Sequence, residues 1–291
     1  VATLQDIRRR IGSVENTEKI TKAMEAVATV KLRRAQQRIE ALRPYALSMI
    51  DMMQDLAVHA EDRQSYPLLR KHPAIRTVAL LVFTGDRGLA GAFNANVLRR
   101  AFDAHHENLA AGRQTHWMVV GKKGVGTLKF HGYELQRTWT GLSDRPDYLD
   151  ARQIAHHIID LYVSEWVDQV RLIYNRYRSP IEQTVSDRVR LPIAPETYGA
   201  GEGMASGLYI YEPDAATIFG RLLPVYVETV VFKALLESSA SEQGARMTAM
   251  KNASDNAEEM IDTLTLDLNR ARQSAITQEI LEVVAGADAL R

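Results

Sequence analysis

Asp214-Ala215-Ala216-Thr217-Ile218-Phe219-Gly220-Arg221-Leu222-Leu223-Pro224-Val225 opens a stretch that runs to Leu290 with few helix breakers, Pro224, Gly244 and Gly286 among them. Apolar or small residues recur at Ile218, Leu222, Val225, Thr229, Phe232, Leu236 and Ser239, and again at Ala257, Ile261, Leu264, Leu268, Ala271 and Ala275. Alternating steps of four and three keep one stripe on one side of a helix, as in the a/d seam of a coiled coil. At 1.5 Å per residue, ~70 helical residues span roughly 105 Å. A globular domain is much narrower than that, so the stripe needs a helical partner of similar length.

Residues 1–58 supply the partner. Leu4, Ile7, Ile11 and Val14 begin a seam, and Ala35, Ile39, Leu42, Ala46, Met49, Met53 and Leu56 continue it. Between them the expected seam is small and mixed, through Ile20, Met24 and Val27. Thr3 stands as an N-cap, with Asp6 three residues on as its capping-box partner. Pro44 removes a backbone bond and is expected to kink the helix. Two seams at opposite ends of one chain read as an antiparallel coiled coil with a domain inserted between them. Residues 1–43 hold ten Lys/Arg against five acids, and residues 246–282 hold four basic and seven acidic residues. Two readings of that asymmetry stay open: solvated faces in weak mutual attraction, or a basic ridge that meets acidic loops on a partner.

The period changes in the middle. Residues 59–73, with Tyr66-Pro67 and His72-Pro73, read as a linker. Arg76 to Thr84 is a near-continuous apolar run, as in a strand buried on both faces. A helix is expected over Asn94–Ala111, a second buried strand over His116–Val120, and a short helix after Gly121-Lys122-Lys123-Gly124. Tyr133–Trp139 reads as a third strand. Asp150 is expected to cap a helix to Val167, with Ile154, Ile158, Leu161 and Val163 inward. Gln169–Tyr174 and Thr184–Ile193 read as paired strands, residues 195–207 as loop, and Leu208–Pro213 as a last short strand. Strands alternating with helices give an α/β layer fold of Rossmann-like type over 74–213, between coiled-coil helices over 1–58 and 214–291.

Composition narrows the chemistry. Lys+Arg and Asp+Glu are each 36 in 291 residues, so no basic bias points to nucleic acid. Zero Cys excludes disulfides, thiolate metal sites and Cys nucleophiles. No uninterrupted run of eighteen apolar residues occurs, so no membrane span is expected. Gly85-Asp86-Arg87-Gly88-Leu89-Ala90-Gly91 lies where a phosphate-binding turn would sit, between strand and helix. Its glycine spacing is wrong for a dinucleotide fingerprint, and no Gly-Lys-Ser/Thr makes a Walker loop. A tight structural turn is the better reading. The eight histidines include two adjacent pairs, His105-His106 and His156-His157, which point to different faces of a helix. Neither they nor the scattered carboxylates form a catalytic or metal-binding pattern, and no cofactor is expected.

The two ends resemble the gamma subunit of F-type ATP synthases. The likeness is carried by Leu4-Gln5-Asp6-Ile7-Arg8-Arg9-Arg10-Ile11 and Asn16-Thr17-Glu18-Lys19-Ile20-Thr21-Lys22-Ala23-Met24. At the other end it is carried by Ala245 to Ala253, Asn269-Arg270-Ala271-Arg272-Gln273 and Ile276 to Ala287, and it extends over essentially the whole chain. The family's middle motif, Ser/Thr-Asp-Arg-Gly-Leu-Cys-Gly, appears as Gly85 to Gly91, with Ala90 where Cys is common. The paired Cys of plant chloroplast members is absent.

The resemblance implies a rotor shaft: a bent antiparallel coil inside a ring of three alpha and three beta subunits. It implies an α/β domain nearer the membrane, against the epsilon subunit and the c-ring. It implies no catalysis by this chain, and a peripheral position on the cytoplasmic face of a bacterial plasma membrane. It places Arg272 and Gln273 at the catch loops of beta, with Lys19, Lys22 and Met24 on the opposing helix at that level. Tyr209, Tyr211 and Glu212 fall at the foot that docks on the c-ring. From the residues without the resemblance, a coiled-coil scaffold with an α/β binding module and a small nucleotide-dependent enzyme both remain open.

Overall fold

The computed structural model describes residues 3–58, 65–180, 182–199, 212 and 214–288. In chain order the elements are α1 (Leu4–Val58), β1 (Thr77–Phe83), α2 (Phe93–Ala110), β2 (Gln114–Val120), α3 (Lys122–Phe130) and β3 (Leu135–Trp139). They continue as α4 (Tyr148–Val163), β4 (Gln169–Tyr177), β5 (Gln183–Leu191), α5 (Pro195–Tyr198) and α6 (Ala215–Asp288). The expected strand at Leu208–Pro213 lies outside the described residues but for Glu212. The chain divides into two compact units, residues up to 28 with those from 247 on, and residues 29–246. Helices α1, of 55 residues, and α6, of 74, each contribute to both.

In the unit of residues 29–246 a five-stranded sheet has the order β3-β2-β1-β4-β5. The first three pairings are parallel and β4–β5 is antiparallel. Central β1 alternates its side chains between two cores, as the two-residue period of a strand requires. Val78, Leu80 and Val82 pack with Val97, Leu98 and Ala101 of α2. Ala79, Leu81 and Phe83 face the other way, into a cluster that holds Ile154 and Ile158 of α4, Met49, Met53 and Leu56 of α1, and Phe219, Leu223, Val227 and Val231 of α6. One face of the sheet is thus covered by elements from both ends of the chain. Each fully buried Leu, Ile or Phe there contributes roughly 1.5–3 kcal/mol.

Helix α6 holds an 18-residue window of mean hydropathy 1.4, which by length and composition could cross a membrane. The expectation drawn from uninterrupted runs is corrected to that extent. In this structure Phe219, Leu223, Val227 and Val231 of the helix lie in the sheet's core. Of the stripe read from the sequence, Thr229, Leu236 and Ser239 are buried, whereas Ile218, Leu222, Val225 and Phe232 are only partly buried, and Phe219, Leu223 and Tyr226, each one residue on, are buried in place of the first three. No single stripe exists there because the helix is covered on several sides. Over residues 234–244 every residue is buried.

Local signals account for the starts of α1 and α4. Thr3 and Asp6 form the reciprocal box at the start of α1: Asp6 N donates to Thr3 Oγ1, and Thr3 N and Oγ1 donate to Asp6 Oδ2. Helix α4 starts three residues earlier than expected. Asp147 is its N-cap and Asp150 is the N3 partner of the box, so Asp150 was the right residue in the wrong position. Ile154 and Ile158 are buried as expected, whereas Val163 is exposed and Tyr162 takes the inward place. Pro44 and Pro224 both lie within continuous helix.

Candidate functional site

The unit of residues 3–28 and 247–288 is a helix pair with a weak seam. On α1 the covered positions run Leu4, Ile7, Ile11, Val14, Glu18, Thr21, Met24, Ala28. On α6 they run Met250, Ser254, Ala257, Ile261, Leu264, Leu268, Ala271, Ala275, in agreement with the sequence reading from Ala257 on. The middle of α1 needs correction. Ile20 and Val27 are 60% and 56% exposed, and Thr21 and Ala28 hold the seam in their place. Hydropathy misleads here because the seam is made of small and polar groups. Thr21 Oγ1 and Ser254 Oγ lie 2.6 Å apart. Thr21 gives its one hydroxyl proton to the Glu18 carbonyl, so Ser254 donates to Thr21.

That contact fixes which candidate residues share a level. In an antiparallel pair, eighteen residues beyond Ser254 stand opposite eighteen before Thr21. Arg272 is therefore level with Thr3, about 27 Å along the helix from the Thr21–Ser254 contact. Lys19, Lys22 and Met24 are level with residues 251–256, and the carboxylates of Asp255 and Glu258 help to raise the Lys22 pKa, after Glu18, whose Oε1 lies 2.5 Å from Lys22 Nζ. The expectation that the two groups stand at one level is corrected: they are two separate sets. Lys19 and Lys22 are exposed and Met24 is half-buried. Arg272 and Gln273 are exposed beside the half-buried Ala271 and Ala275, as expected.

Beyond Ala275 the helix α6 is bare. Residues 276–285 are all exposed, and they include Ile276, Ile280, Leu281, Val283 and Val284. Helix α1 begins at Leu4, level with Ala271, and among the described residues nothing covers this segment. Five large apolar residues on a helix without a covering partner mark an interaction surface. The signal was available in the sequence as a difference in length between the two seams.

In the unit of residues 29–246 the Gly85–Gly91 turn is closed by its own side chain. Asp86 Oδ1 accepts from Lys122 N at 3.0 Å, at the start of α3, and Oδ2 accepts from Gly141 N at 2.9 Å and Ser143 N at 3.1 Å. Burial raises the Asp86 pKa, but these hydrogen bonds outweigh it and hold the carboxyl below its ordinary range. An internal carboxylate thus sits where a phosphate would bind. The glycines serve close packing. A Cβ on Gly121, at φ +97°, would fall 2.1 Å from Thr84 O, and one on Gly85 would fall 2.8 Å from Glu242 Cδ. Among the described residues no group of His, Asp and Glu could hold a metal ion. Each adjacent histidine pair is split between faces: His105 is half-buried and His106 exposed, and His156 bonds Glu228 at 2.9 Å while His157 turns toward Trp139. Glu212 is exposed, and Tyr209 and Tyr211 lie outside the described residues.

Known proteins share this arrangement. A family model described as ATP synthase matches residues 3–290. The ATP synthase gamma chain of Rubrobacter xylanophilus is 45% identical, with 100% of this chain and 99% of that protein covered. That of Moorella thermoacetica is 42% identical, with both chains covered in full. Among solved structures, a Tetrahymena thermophila mitochondrial ATP synthase, described as central stalk and c-ring, matches at TM-score 0.60 and 28% identity, over 81% of this chain and 99% of that one. A Euglena gracilis mitochondrial ATP synthase chain shares the fold at TM-score 0.68 and 18% identity, over 99% and 94%. Identity of this size along the full length, on a sheet flanked by two long terminal helices, makes the chain a member of the ATP synthase gamma chain family.

Proposed function

We propose that this chain is the central rotor shaft of an F-type ATP synthase, coupling ion-driven rotation of the c-ring to conformational change in catalytic beta subunits. The bare apolar end of α6, residues 276–285, carries the reading, because a slender helix of that composition needs a sheath. The hexamer of alpha and beta subunits is that sheath. The α/β unit stands on the membrane side, with epsilon and the c-ring as partners, and the complex lies on the cytoplasmic face of a bacterial plasma membrane.

The chain does no chemistry in this role. Its work is to present different surfaces to three otherwise equal beta subunits. A ligand or partner shifts an equilibrium only by its differential affinity for the states. Turning an asymmetric shaft gives each beta a different contact in turn, and so a different nucleotide affinity. Arg272 and Gln273 grip the catch loops of beta near the shaft end, and Lys19, Lys22 and Met24 form a second contact lower down. The guanidinium fork suits carboxylates and carbonyls on such a loop. Tyr209, Tyr211 and Glu212 dock the foot on the c-ring.

Purification of the native complex tests the reading. The expected result is co-purification with two subunits that carry Walker loops, and rotation of this chain during ATP hydrolysis when beta is fixed to a surface. Isolation of the chain alone would favour a stand-alone scaffold. Calorimetry on the isolated chain is expected to show no binding of ATP or ADP, and micromolar binding would favour the nucleotide-dependent enzyme.

A further inference from the structure

Two loops of the α/β unit close around both long helices at the place where the unit ends. The residues at the boundary are Thr29 on α1 and Arg246 on α6. Just inside it, Asp144 accepts from Lys31 Nζ of α1 at 2.6 Å and from Gln243 Nε2 of α6 at 3.4 Å. The next turn of the same loop offers the Pro146 carbonyl to Arg38 of α1. Of the two long helices, the other loop bonds α6. Gly85 packs on the Glu242 carboxyl, and Arg246 bridges Glu242 at 2.6 Å and the Gly88 carbonyl at 3.2 Å.

The two loops are one body because of Asp86. Its carboxylate ties residues 85–88 to Gly141 and Ser143, and its own N–H donates to Ser143 Oγ at 3.0 Å. The third bond, from Lys122 N, fastens the pair to the start of α3 and so to the sheet. Both helices are therefore gripped by a single polar ring whose anchor is the domain's rigid core.

We propose that this ring is the torsional root of the shaft, the fixture at which rotation of the α/β unit enters α1 and α6, with Asp86 as the residue that positions it. The proposal rests on the rotor reading above. The apolar core lower down also holds the helices, but hydrophobic contact is non-directional. Hydrogen bonds and ion pairs fix orientation, and their members act together rather than singly. Loosening the ring lets the point of fixation slide down the helices and lengthens the part that can twist.

The test uses the assembled complex with beta fixed and a gold bead on a single cysteine placed at exposed Glu182, a chain otherwise free of Cys. The readout is the width of the bead's angular distribution while the enzyme waits for substrate. K31E and D144K each break the Lys31–Asp144 bond, and K31E/D144K restores it with the charges exchanged. Because ring members are coupled, each single variant and D86N should widen the angular variance about twofold, and the exchanged pair should return it toward wild type. Hydrolysis rate and thermal midpoint should stay near wild type in the Lys31 and Asp144 variants, because an exposed pair contributes little to stability. Unchanged width in both single variants, or a double variant as wide as the singles, overturns the proposal. Should D86N fail to assemble, the charge exchange alone decides. A wild-type chain that does not assemble or rotate would instead remove the rotor reading.

Discussion

Two stretches of α6 invert the usual rule of burial. Residues 234–244 are buried on every side, yet they include Glu237, Ser238, Ser239, Ser241, Glu242 and Gln243. Residues 276–285 are exposed on every side, yet they include Ile276, Ile280, Leu281, Val283 and Val284. In the first, some polar groups find partners inside the chain: Ser241 Oγ donates to Asn175 O at 3.0 Å, and Glu242 Oε1 takes the Arg246 guanidinium, while Glu237 Oε2 and Glu242 Oε2 are buried without a hydrogen bond. In the second, apolar groups rest on nothing among the described residues. The first is a joint within the protein and the second is the surface that the proposed rotor role would cover with other subunits. The difference teaches that composition alone cannot place a helical segment, whereas composition set against burial can.

The largest effect is expected from breaking the joint. Arg246→Met leaves the Glu242 carboxylate, whose side chain is 3% exposed, without its ion-pair partner. Removing one member of a buried pair costs about 3–5 kcal/mol, to be read from urea or thermal denaturation of the chain. Burial already pushes the Glu242 carboxyl up, against the pull of Arg246, so the variant should lose least at low pH, where the carboxyl is neutral. A loss under about 1 kcal/mol would mean that the polar segment is not held by this pair.

The bare end should show the opposite pattern. Ile280→Glu with Leu281→Glu should leave the chain's own thermal midpoint unchanged. It should weaken association with the hexamer by about 1.5–3 kcal/mol for each side chain that the sheath buries, measured by competition with wild-type chain. A fall in the midpoint would show that the end packs on its own chain. Arg272→Ala with Gln273→Ala lies between the two stretches in character. Each charge-assisted bond is worth about 1.5–3 kcal/mol when desolvated, and a grip made in one rotary state acts on rate more than on assembly. The expected outcome is an assembled complex with reduced hydrolysis and synthesis. Wild-type rates would reduce both residues to solvated surface.

The smallest effect concerns a satisfied polar site away from α6. Burial raises the Asp168 pKa, but His72 Nδ1 at 2.8 Å and the N–H groups of Thr77 and Arg76 hold it below the ordinary aspartate range. A depressed carboxyl gives its stabilisation above the unfolded pKa, near 4, and loses it as pH falls through the folded value. Asp168→Asn should therefore cost about 1–2 kcal/mol at pH 7, and the gap to wild type should close below about pH 4. A gap that is constant with pH would point to packing rather than charge.

Legibility followed the same division. The outer parts of the α1 seam, from Leu4 to Val14 and from Ala35 to Leu56, could be read because apolar residues mark them. The middle could not, because Thr21 and Ala28 are quieter than the exposed Ile20 and Val27 beside them. Strands β1 and β2 of the α/β unit were visible as apolar runs, and the cap of α4 was found at the right motif but read three residues late. The stripe on α6 was legible only in part: Ile218, Leu222, Val225 and Phe232 lie half-covered before the wrapped segment, where Phe219, Leu223, Val227 and Val231 take the core. The role of Asp86 was out of reach, because its partners at Lys122, Gly141 and Ser143 lie far off in sequence. The level of Arg272 needed one interhelical contact that no periodicity supplies.

The sheet face that α1 and α6 cover has a consequence for synthesis. Ala79, Leu81 and Phe83 emerge from the ribosome early, and their cover from Phe219 to Leu235 emerges more than a hundred residues later. Until then the strands can pair and α1 and α4 can cover part of that face, but the area that α6 covers stays wet and adhesive. Such intermediates are prone to aggregate. Folding of this unit is thus tied to completion of the chain, and a fragment ending before α6 would be a client for chaperones rather than a free-standing domain.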